Sequence, residues 1–242
     1  FGDLESVVYL SEIIARRQGI GDVLAEGVKV AADRFGKDSQ RYAIQIKGLE
    51  QSGYEARWAP AMMLAYMTAD VGAHHNRAWA ITHDVAVGRD QIEGKAAKVI
   101  ELQHIRPLFD ALGICRLQWV ELGFELYHYE EMFKAVTGVD YSWAELLKIS
   151  ERIFNLTRMF WIKHMPGFGR SWDYPPARMI EEETPTGPSK GKRIPLEDLD
   201  RLLDDYYTQR GWSLEGIPTK EKLEELGLGD LAVALPTQTA AR

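Results

Sequence analysis

Apolar residues recur every three or four positions along most of the chain, the spacing that places them on one face of an α-helix. The opening residues and the segment from Ile20 to Phe35 predict the first two helices. Pro60 suits the first turn of another helix, and Ser142 and Glu145 have the spacing of a capping box. Further helices are predicted over residues 60–72, 91–112, 143–164, 195–207 and 220–227.

Two segments depart from this helical pattern. The residues from Tyr42 to Ile46 alternate between apolar and polar side chains, which predicts one short strand. Proline and glycine are so frequent in residues 165–194 that a long irregular surface loop is predicted there. We therefore predict an all-α, irregular multihelical fold of two packed helical domains with at most one short strand. The first domain would cover residues 1–90 and could continue upstream of the chain, and the second would cover residues 91–242.

Charge and hydropathy exclude two classes of partner. The 242 residues carry a net charge of -7, so we expect neither a broad positive surface nor nucleic-acid binding. No apolar run approaches the roughly 18 residues that a membrane span needs, and no signal-peptide pattern opens the chain, which favours a cytoplasmic protein. The chain begins at Phe1, already inside a helical pattern, and we expect it to be a piece of a longer protein.

The one cysteine, Cys115, follows the end of a predicted helix at Gly113. A lone cysteine cannot form an internal disulfide, and it cannot by itself hold an iron–sulfur cluster, which needs several thiolates. Its position fits a buried thiol at a helix end. It also fits a nucleophile, or a single ligand to a metal group that other residues complete.

Two adjacent histidines, His74 and His75, follow the methionine-rich helix predicted at residues 60–72. Neighbouring residues on regular structure do not face the same point, so the functional interpretation is one histidine at a site with the other supporting it. The alternative is that backbone groups or solvent satisfy both rings. The aromatic and methionine side chains of residues 54–81 fit either plain core or the wall of an apolar pocket.

The segment from Asp110 to Cys115 resembles the D-x-x-G-L-C element of the aldehyde:ferredoxin oxidoreductase family of tungstopterin enzymes, with Ile114 replacing the usual Leu. Four more segments resemble motifs of this family in the family's order, and they extend the likeness over residues 1–228. They are residues 16–27, 47–50, 72–77 and 206–212. The similarity covers only the C-terminal helical part of the longer family members.

The resemblance implies cofactor roles for the segment after the helix at residues 91–112. Asp110 would accept hydrogen bonds from a pterin, and the backbone at Gly113 and Ile114 would approach the cofactor closely. Cys115 would be the fourth ligand of a [4Fe–4S] cluster whose other cysteines lie in the N-terminal part of the family.

The resemblance also implies different roles for the two histidines. His75 aligns with the histidine that the family places close to tungsten, and it would be the catalytic acid or base. His74 stands where the family usually has cysteine, so it would shape the substrate pocket.

The resemblance implies an oxidoreductase with tungsten–bis-pyranopterin and [4Fe–4S], which converts a small aldehyde to a carboxylic acid and passes electrons to a ferredoxin-like carrier. An alternative within the family is the tungsten subunit of an ATP-independent benzoyl-CoA reductase, acting on an aromatic acyl-CoA. A third hypothesis, from another class, is a non-catalytic helical assembly or binding domain. Without an N-terminal pterin-binding partner region, this chain alone is expected to bind neither cofactor, and it could form a homo-oligomer.

Overall fold

The computed structural model describes residues 2–120 and 122–235, which are mostly helical. The α-helices are α1 (Leu4–Ala15), α2 (Ile20–Leu24), α3 (Gly27–Phe35), α4 (Pro60–Thr68), α5 (Ile81–Val87), α6 (Lys95–Leu112), α7 (Leu117–Val120), α8 (Tyr127–Thr137), α9 (Trp143–His164), α10 (Ala177–Glu181), α11 (Leu196–Arg210) and α12 (Lys220–Glu225). Short 3-10 helices lie at Ser39–Tyr42, His75–Arg77, Arg170–Trp172 and Gly229–Ala234. Within the described part of the chain, no helix combines the length and the apolar character needed to cross a bilayer.

The predicted all-α multihelical class is confirmed, with a difference in the strands. The structure has two strands of two residues each, β1 (Gln45–Ile46) and β2 (Leu49–Glu50), which pair as an antiparallel hairpin. The prediction of at most one strand is therefore wrong. A strand has to pair its backbone groups with a second strand, and β2 is too short to show any alternation of its own.

Helix ends follow the local sequence signals where those signals are strong. The Ser142 hydroxyl accepts a hydrogen bond from the Glu145 N–H, and the Glu145 carboxylate accepts one from the Ser142 N–H at 2.8 Å, which completes the capping box of α9. The predicted second helix is instead two helices, because the backbone at Gly27 has a φ of 86°. Helix α8 was not predicted, although Tyr129, Met132, Phe133 and Val136 have helical spacing; Tyr129 is its one buried residue.

Helix α4 lies at the centre of the core. All nine of its residues are buried, as expected for a helix that is apolar on every side. It packs against α5, α6 and α11, and the buried cluster around it extends from Ile46 in the hairpin to Trp212 after α11. The segment that carries His74 and His75, called the histidine segment below, follows α4 in the chain and therefore starts next to the buried core.

A buried ion pair holds the start of α4. The Asp84 carboxylate accepts hydrogen bonds from the N–H groups of Ala61 and Met62 at 3.0 and 2.9 Å. The Lys95 ammonium donates to the same carboxylate at 2.7 Å, and both side chains are 0% exposed. Asp84 therefore acts as a cap from another helix, in place of the side-chain cap that Ala59 cannot provide.

Replacing Asp84 with alanine should lower the free energy of unfolding by about 3–5 kcal/mol, because it leaves the buried Lys95 ammonium unpaired. Urea unfolding of the two proteins measures this difference. The control is Asp33→Ala, which removes the exposed Lys29–Asp33 pair and should cost less than about 1 kcal/mol. Equal losses in the two variants would contradict the role of Asp84.

Residues 165–194 are mostly irregular, as their proline and glycine content predicts, but part of this segment is not at the surface. They include α10, and Phe168, Asp173 and Met179 are buried. The Asp173 carboxylate accepts two hydrogen bonds from the Arg158 guanidinium at 2.9 and 2.8 Å, and the Lys47 ammonium lies 2.6 Å from it. Long-range pairing of this kind leaves no local sequence signal, which is why the prediction of a surface position is wrong.

His104 is a base that the fold keeps neutral. Its Nε2 accepts a hydrogen bond from the Arg210 guanidinium at 2.7 Å. Burial, followed by the charge of Arg210, lowers the pKa of His104 to about 3. Protonation of the His104 ring therefore destabilises the folded state.

Acid should destabilise the protein partly through His104. Between about pH 6.5 and pH 3 the unfolded chain binds a proton at this ring and the folded chain does not, so stability falls as the pH falls through this range. The His104→Gln variant should show a shallower loss from pH 6.5 to 5, by up to about 1.4 kcal/mol per pH unit. Urea midpoints measured across this range check the difference, and identical slopes would contradict it.

Candidate functional site

The end of α6 presents Asp110 and Cys115 to solvent. Gly113 ends the helix with a φ of 68°, and the Ile114 N–H donates to the Phe109 carbonyl at 2.9 Å. Ile114 packs on a small apolar cluster that includes Phe109 and Tyr129. This anchor turns the chain outward, so Cys115 is exposed and not the buried thiol that is common at helix ends.

The space beside Gly113 is open. A Cβ atom placed there would meet no atom within 4 Å, but the positive φ of this residue still favours glycine. The exposed backbone after α6 can therefore come close to another group. Asp110 stands at the same edge, with its side chain 44% exposed.

The histidine segment follows a tight turn after α4. Gly72 has a φ of 107°, and a Cβ atom there would lie 2.6 Å from the Cβ of Leu49, so only glycine fits. The Ala73 N–H donates to the Ile46 carbonyl at 3.3 Å. The turn therefore holds the histidine segment against the hairpin.

The two histidine rings lie side by side, contrary to the expectation that neighbouring residues face apart. His74 is extended and His75 starts a 3-10 turn, so regular alternation does not apply. The rings stack with centroids 5.5 Å apart and an interplanar angle of 5°. Both can therefore face one bound group.

Hydrogen bonds fix the orientation of both rings. The Nδ1 atom of His74 accepts from the Asn76 N–H at 3.0 Å, and the Nδ1 atom of His75 lies 2.7 Å from the Ser52 hydroxyl. Burial lowers the pKa of both histidines, and neighbouring groups lower it further: Arg77 and Arg116 for His74, and His74, Arg106 and Arg116 for His75. The neutral imidazoles are therefore favoured at neutral pH.

Aromatic side chains form one wall around His75. The ring centroids of Tyr54 and Trp79 each lie 5.8 Å from the His75 ring, and 4.9 Å from each other. Met62, Met63 and the other apolar residues of α4 are core residues beneath this wall. The sequence left two interpretations for the aromatic and methionine residues of the 54–81 segment, plain core or the wall of a pocket. Some of these residues are core and others border the histidines.

Two arginines join the histidine segment to the Cys115 segment. The Arg77 guanidinium is paired with Asp110, and its Nε atom lies 2.9 Å from the buried carboxylate of Asp70. The Arg116 guanidinium donates to the Asn76 carbonyl at 2.7 Å and to Asp110 at 2.9 Å. These contacts therefore join the histidine segment to Asp110 and to Arg116, the residue after Cys115.

Sequence reasoning missed these arginines as site residues. Arg77 closes the 72–77 motif and Arg116 directly follows Cys115, so their places in the motifs were a usable signal. The carboxylate that they share, Asp110, is far from Arg77 in the sequence, and the second target of Arg116, the Asn76 carbonyl, is a backbone group that leaves no trace there.

The donor set fits a cofactor that other residues help to hold. Among the described residues, no three His, Cys, Asp or Glu side chains lie close enough to bind a metal ion together. Cys115 offers one exposed thiol, and the Asp110 carboxylate keeps lone pairs beyond those that the two arginines use. With the open backbone at Gly113, these residues could hold one edge of a pterin and one corner of an iron–sulfur cluster.

Comparison with known proteins identifies the family of the chain. Residues 1–228 match the family described as aldehyde ferredoxin oxidoreductase, domains 2 and 3. The tungsten-containing aldehyde ferredoxin oxidoreductase of Pyrococcus abyssi is 36% identical over 236 residues, which are 94% of this chain and 37% of the relative. That of Pyrococcus furiosus is 34% identical over 237 residues, 95% of this chain and 38% of the relative.

A solved structure shows the same fold. The active-site complex BamBC of benzoyl coenzyme A reductase with 1,5-dienoyl-CoA superposes with a TM-score of 0.73 at 26% identity, covering 93% of this chain and 39% of that one. The chain thus spans little more than a third of the length of the proteins it resembles. On the match over residues 1–228, the chain belongs to the aldehyde ferredoxin oxidoreductase family, in the region of its domains 2 and 3.

Proposed function

We propose that the chain is the C-terminal portion of a tungsten–bis-pterin oxidoreductase that oxidises aldehydes to carboxylic acids and passes electrons through a [4Fe–4S] cluster to ferredoxin. The observation that carries the proposal is the joining of His74 and His75 to Asp110 and the Cys115 segment through Arg116. Relatives named as tungsten-containing aldehyde ferredoxin oxidoreductases support the choice of reaction.

His75 is the proton-handling residue in this proposal. With Nδ1 held by the Ser52 hydroxyl, the Nε2 atom is the nitrogen left for a bound molecule. A hydroxyl can donate to Nδ1 or accept from it, so Ser52 holds the ring in both protonation states. Nε2 can therefore donate a proton or accept one without movement of the ring, as general acid–base catalysis requires.

Asp110 and Cys115 hold the redox groups. The Asp110 carboxylate accepts hydrogen bonds from the pterin, fixed in position by Arg77 and Arg116. The exposed Cys115 thiol supplies one thiolate to the cluster, and the other ligands come from outside this chain. When bound, the tungsten–pterin group supplies the redox chemistry that no side chain can perform.

Assays of the full-length protein test this proposal. Anaerobically purified protein should reduce ferredoxin when an aldehyde is added, with one carboxylate formed for each aldehyde consumed. Loss of this activity on omitting the aldehyde is the control. Protein that contains tungsten but leaves every aldehyde unchanged would contradict the aldehyde assignment.

A ring-reducing enzyme is the second candidate. The likeness to the benzoyl coenzyme A reductase complex supports it, as does the stacked pair of His74 and His75 beside the aromatic wall. The discriminating assay is oxidation of a cyclic dienoyl-CoA to its aromatic acyl-CoA, measured beside aldehyde oxidation in one preparation. Absence of both activities and of tungsten would favour a non-catalytic assembly domain.

A further inference from the structure

Arg106 is a buried cation with no carboxylate partner among residues 2–120 and 122–235. It lies on α6 one turn before Asp110 and is 4% exposed. Its Nε atom has no hydrogen-bond partner in the described structure, and its Nη1 atom reaches only the Asn76 carbonyl, at 3.5 Å. A buried charge without a counter-charge costs stability, so this arginine is not explained by packing.

Other buried arginines of the protein are satisfied. Arg158 donates to both carboxylate oxygens of Asp173 and to the Gly216 carbonyl. Arg210 donates to Gln103, Tyr206 and His104. The contrast makes Arg106 exceptional and shows that the fold can pair a buried guanidinium when its role is structural.

The surroundings of Arg106 are positively charged on the side of the histidines. Arg116 donates to the same Asn76 carbonyl at 2.7 Å. Burial, followed by the charge of Arg116, lowers the pKa of Arg106 to about 10. Both guanidinium groups reach the carbonyl of Asn76, the residue that follows His75, and this places them beside the histidine segment. The Trp119 ring, 5.7 Å from the Arg106 guanidinium carbon, covers another side.

We propose that Arg106 and Arg116 form a subsite beside His75 for an anionic oxygen group, a carboxylate or a phosphate. A guanidinium presents several N–H donors in a plane that matches two oxygens of such a group. Arg106 uses at most one of its five donors in the described structure, and a bound oxyanion supplies the missing acceptors and counter-charge.

Two sources could supply this group. One is the carboxylate that aldehyde oxidation forms next to His75, and the other is a phosphate of the bound cofactor. The inference rests on the proposed function for the source of the anion, whereas the unpartnered guanidinium supports the subsite itself.

The test uses the full-length protein and its Arg106→Met variant. Calorimetric titration with acetate and with inorganic phosphate measures binding, and tungsten and pterin are measured per chain in both proteins. We expect a loss of about tenfold or more, either in affinity for an added anion or in cofactor content, because a charge-assisted hydrogen bond is removed. The matched control is Arg201→Gln, an exposed arginine on α11 that should change neither quantity.

A folding control and a second variant keep the test decisive. Thermal unfolding shows whether Arg106→Met is folded, which both readouts require. If this variant fails to fold, Arg106→Gln replaces it, because glutamine removes the charge and keeps polar atoms at the same position.

The outcomes separate the two sources. Weaker acetate binding with unchanged tungsten assigns the subsite to the carboxylate, and a fall in tungsten and pterin assigns it to the cofactor phosphate. A folded variant with unchanged anion affinity and unchanged cofactor content would overturn the subsite. Tungsten and aldehyde oxidation in the parent protein are scored separately, so failure of the proposed function is recognised on its own.

Discussion

Replacing His75 with alanine in the full-length protein should lower turnover by about 10²- to 10⁴-fold while tungsten and iron stay bound. The reason is that the variant removes the imidazole that Ser52 orients, and with it the group that donates or accepts the proton. Steady-state turnover, normalised to tungsten content, measures the effect.

His74→Ala is the matched control for this prediction. The His74 ring stacks on the His75 ring and is buried to a similar degree, but its Nδ1 atom accepts a hydrogen bond from the Asn76 N–H and so caps the turn. We expect it to change substrate affinity or selectivity more than turnover. A larger loss of turnover on changing His74 than on changing His75 would show that the proton-handling role belongs to the other ring.

The Cys115→Ser variant should lose most of its iron and its electron transfer to ferredoxin, and keep most of its tungsten. A serine hydroxyl is a poor substitute for a thiolate ligand, whereas the tungsten–pterin group uses different residues. Because Cys115 is exposed, serine should leave the fold intact, which thermal unfolding can check. Iron and tungsten per chain are the measured quantities.

Asp110→Ala separates the two cofactor roles. This variant removes the carboxylate that Arg77 and Arg116 hold, so we expect lower retention of pterin and tungsten than in Cys115→Ser. Unchanged iron in Cys115→Ser together with unchanged tungsten in Asp110→Ala would contradict both assignments.

The helical class and the larger helices were predictable because their signals are local. The capping box at Ser142 and the proline at the start of α4 act within one turn, and the sequence shows them directly. Strand β1 lies inside the segment predicted as a strand, but β2 was missed because it depends on pairing with β1. Helix α8 was missed although Tyr129, Met132, Phe133 and Val136 carry a local helical signal.

The candidate site was predictable only as separate motifs. The sequence identified the segments of His74–His75 and Asp110–Cys115, and the resemblance to a family suggested that they share one site. What brings them together is a set of long-range contacts, in which Arg77 and Arg116 reach Asp110 and a backbone carbonyl. Contacts of this kind depend on the packing of α4 against α6, which no local pattern encodes.

Metal analysis of the full-length protein, purified without oxygen, tests the central claim most directly. The claim is that this chain provides His75, Asp110 and Cys115 to one tungsten and iron–sulfur site. It predicts tungsten together with about four iron atoms per chain, and loss of the iron in Cys115→Ser. Full-length protein that holds neither metal, or whose iron is independent of Cys115, would contradict it.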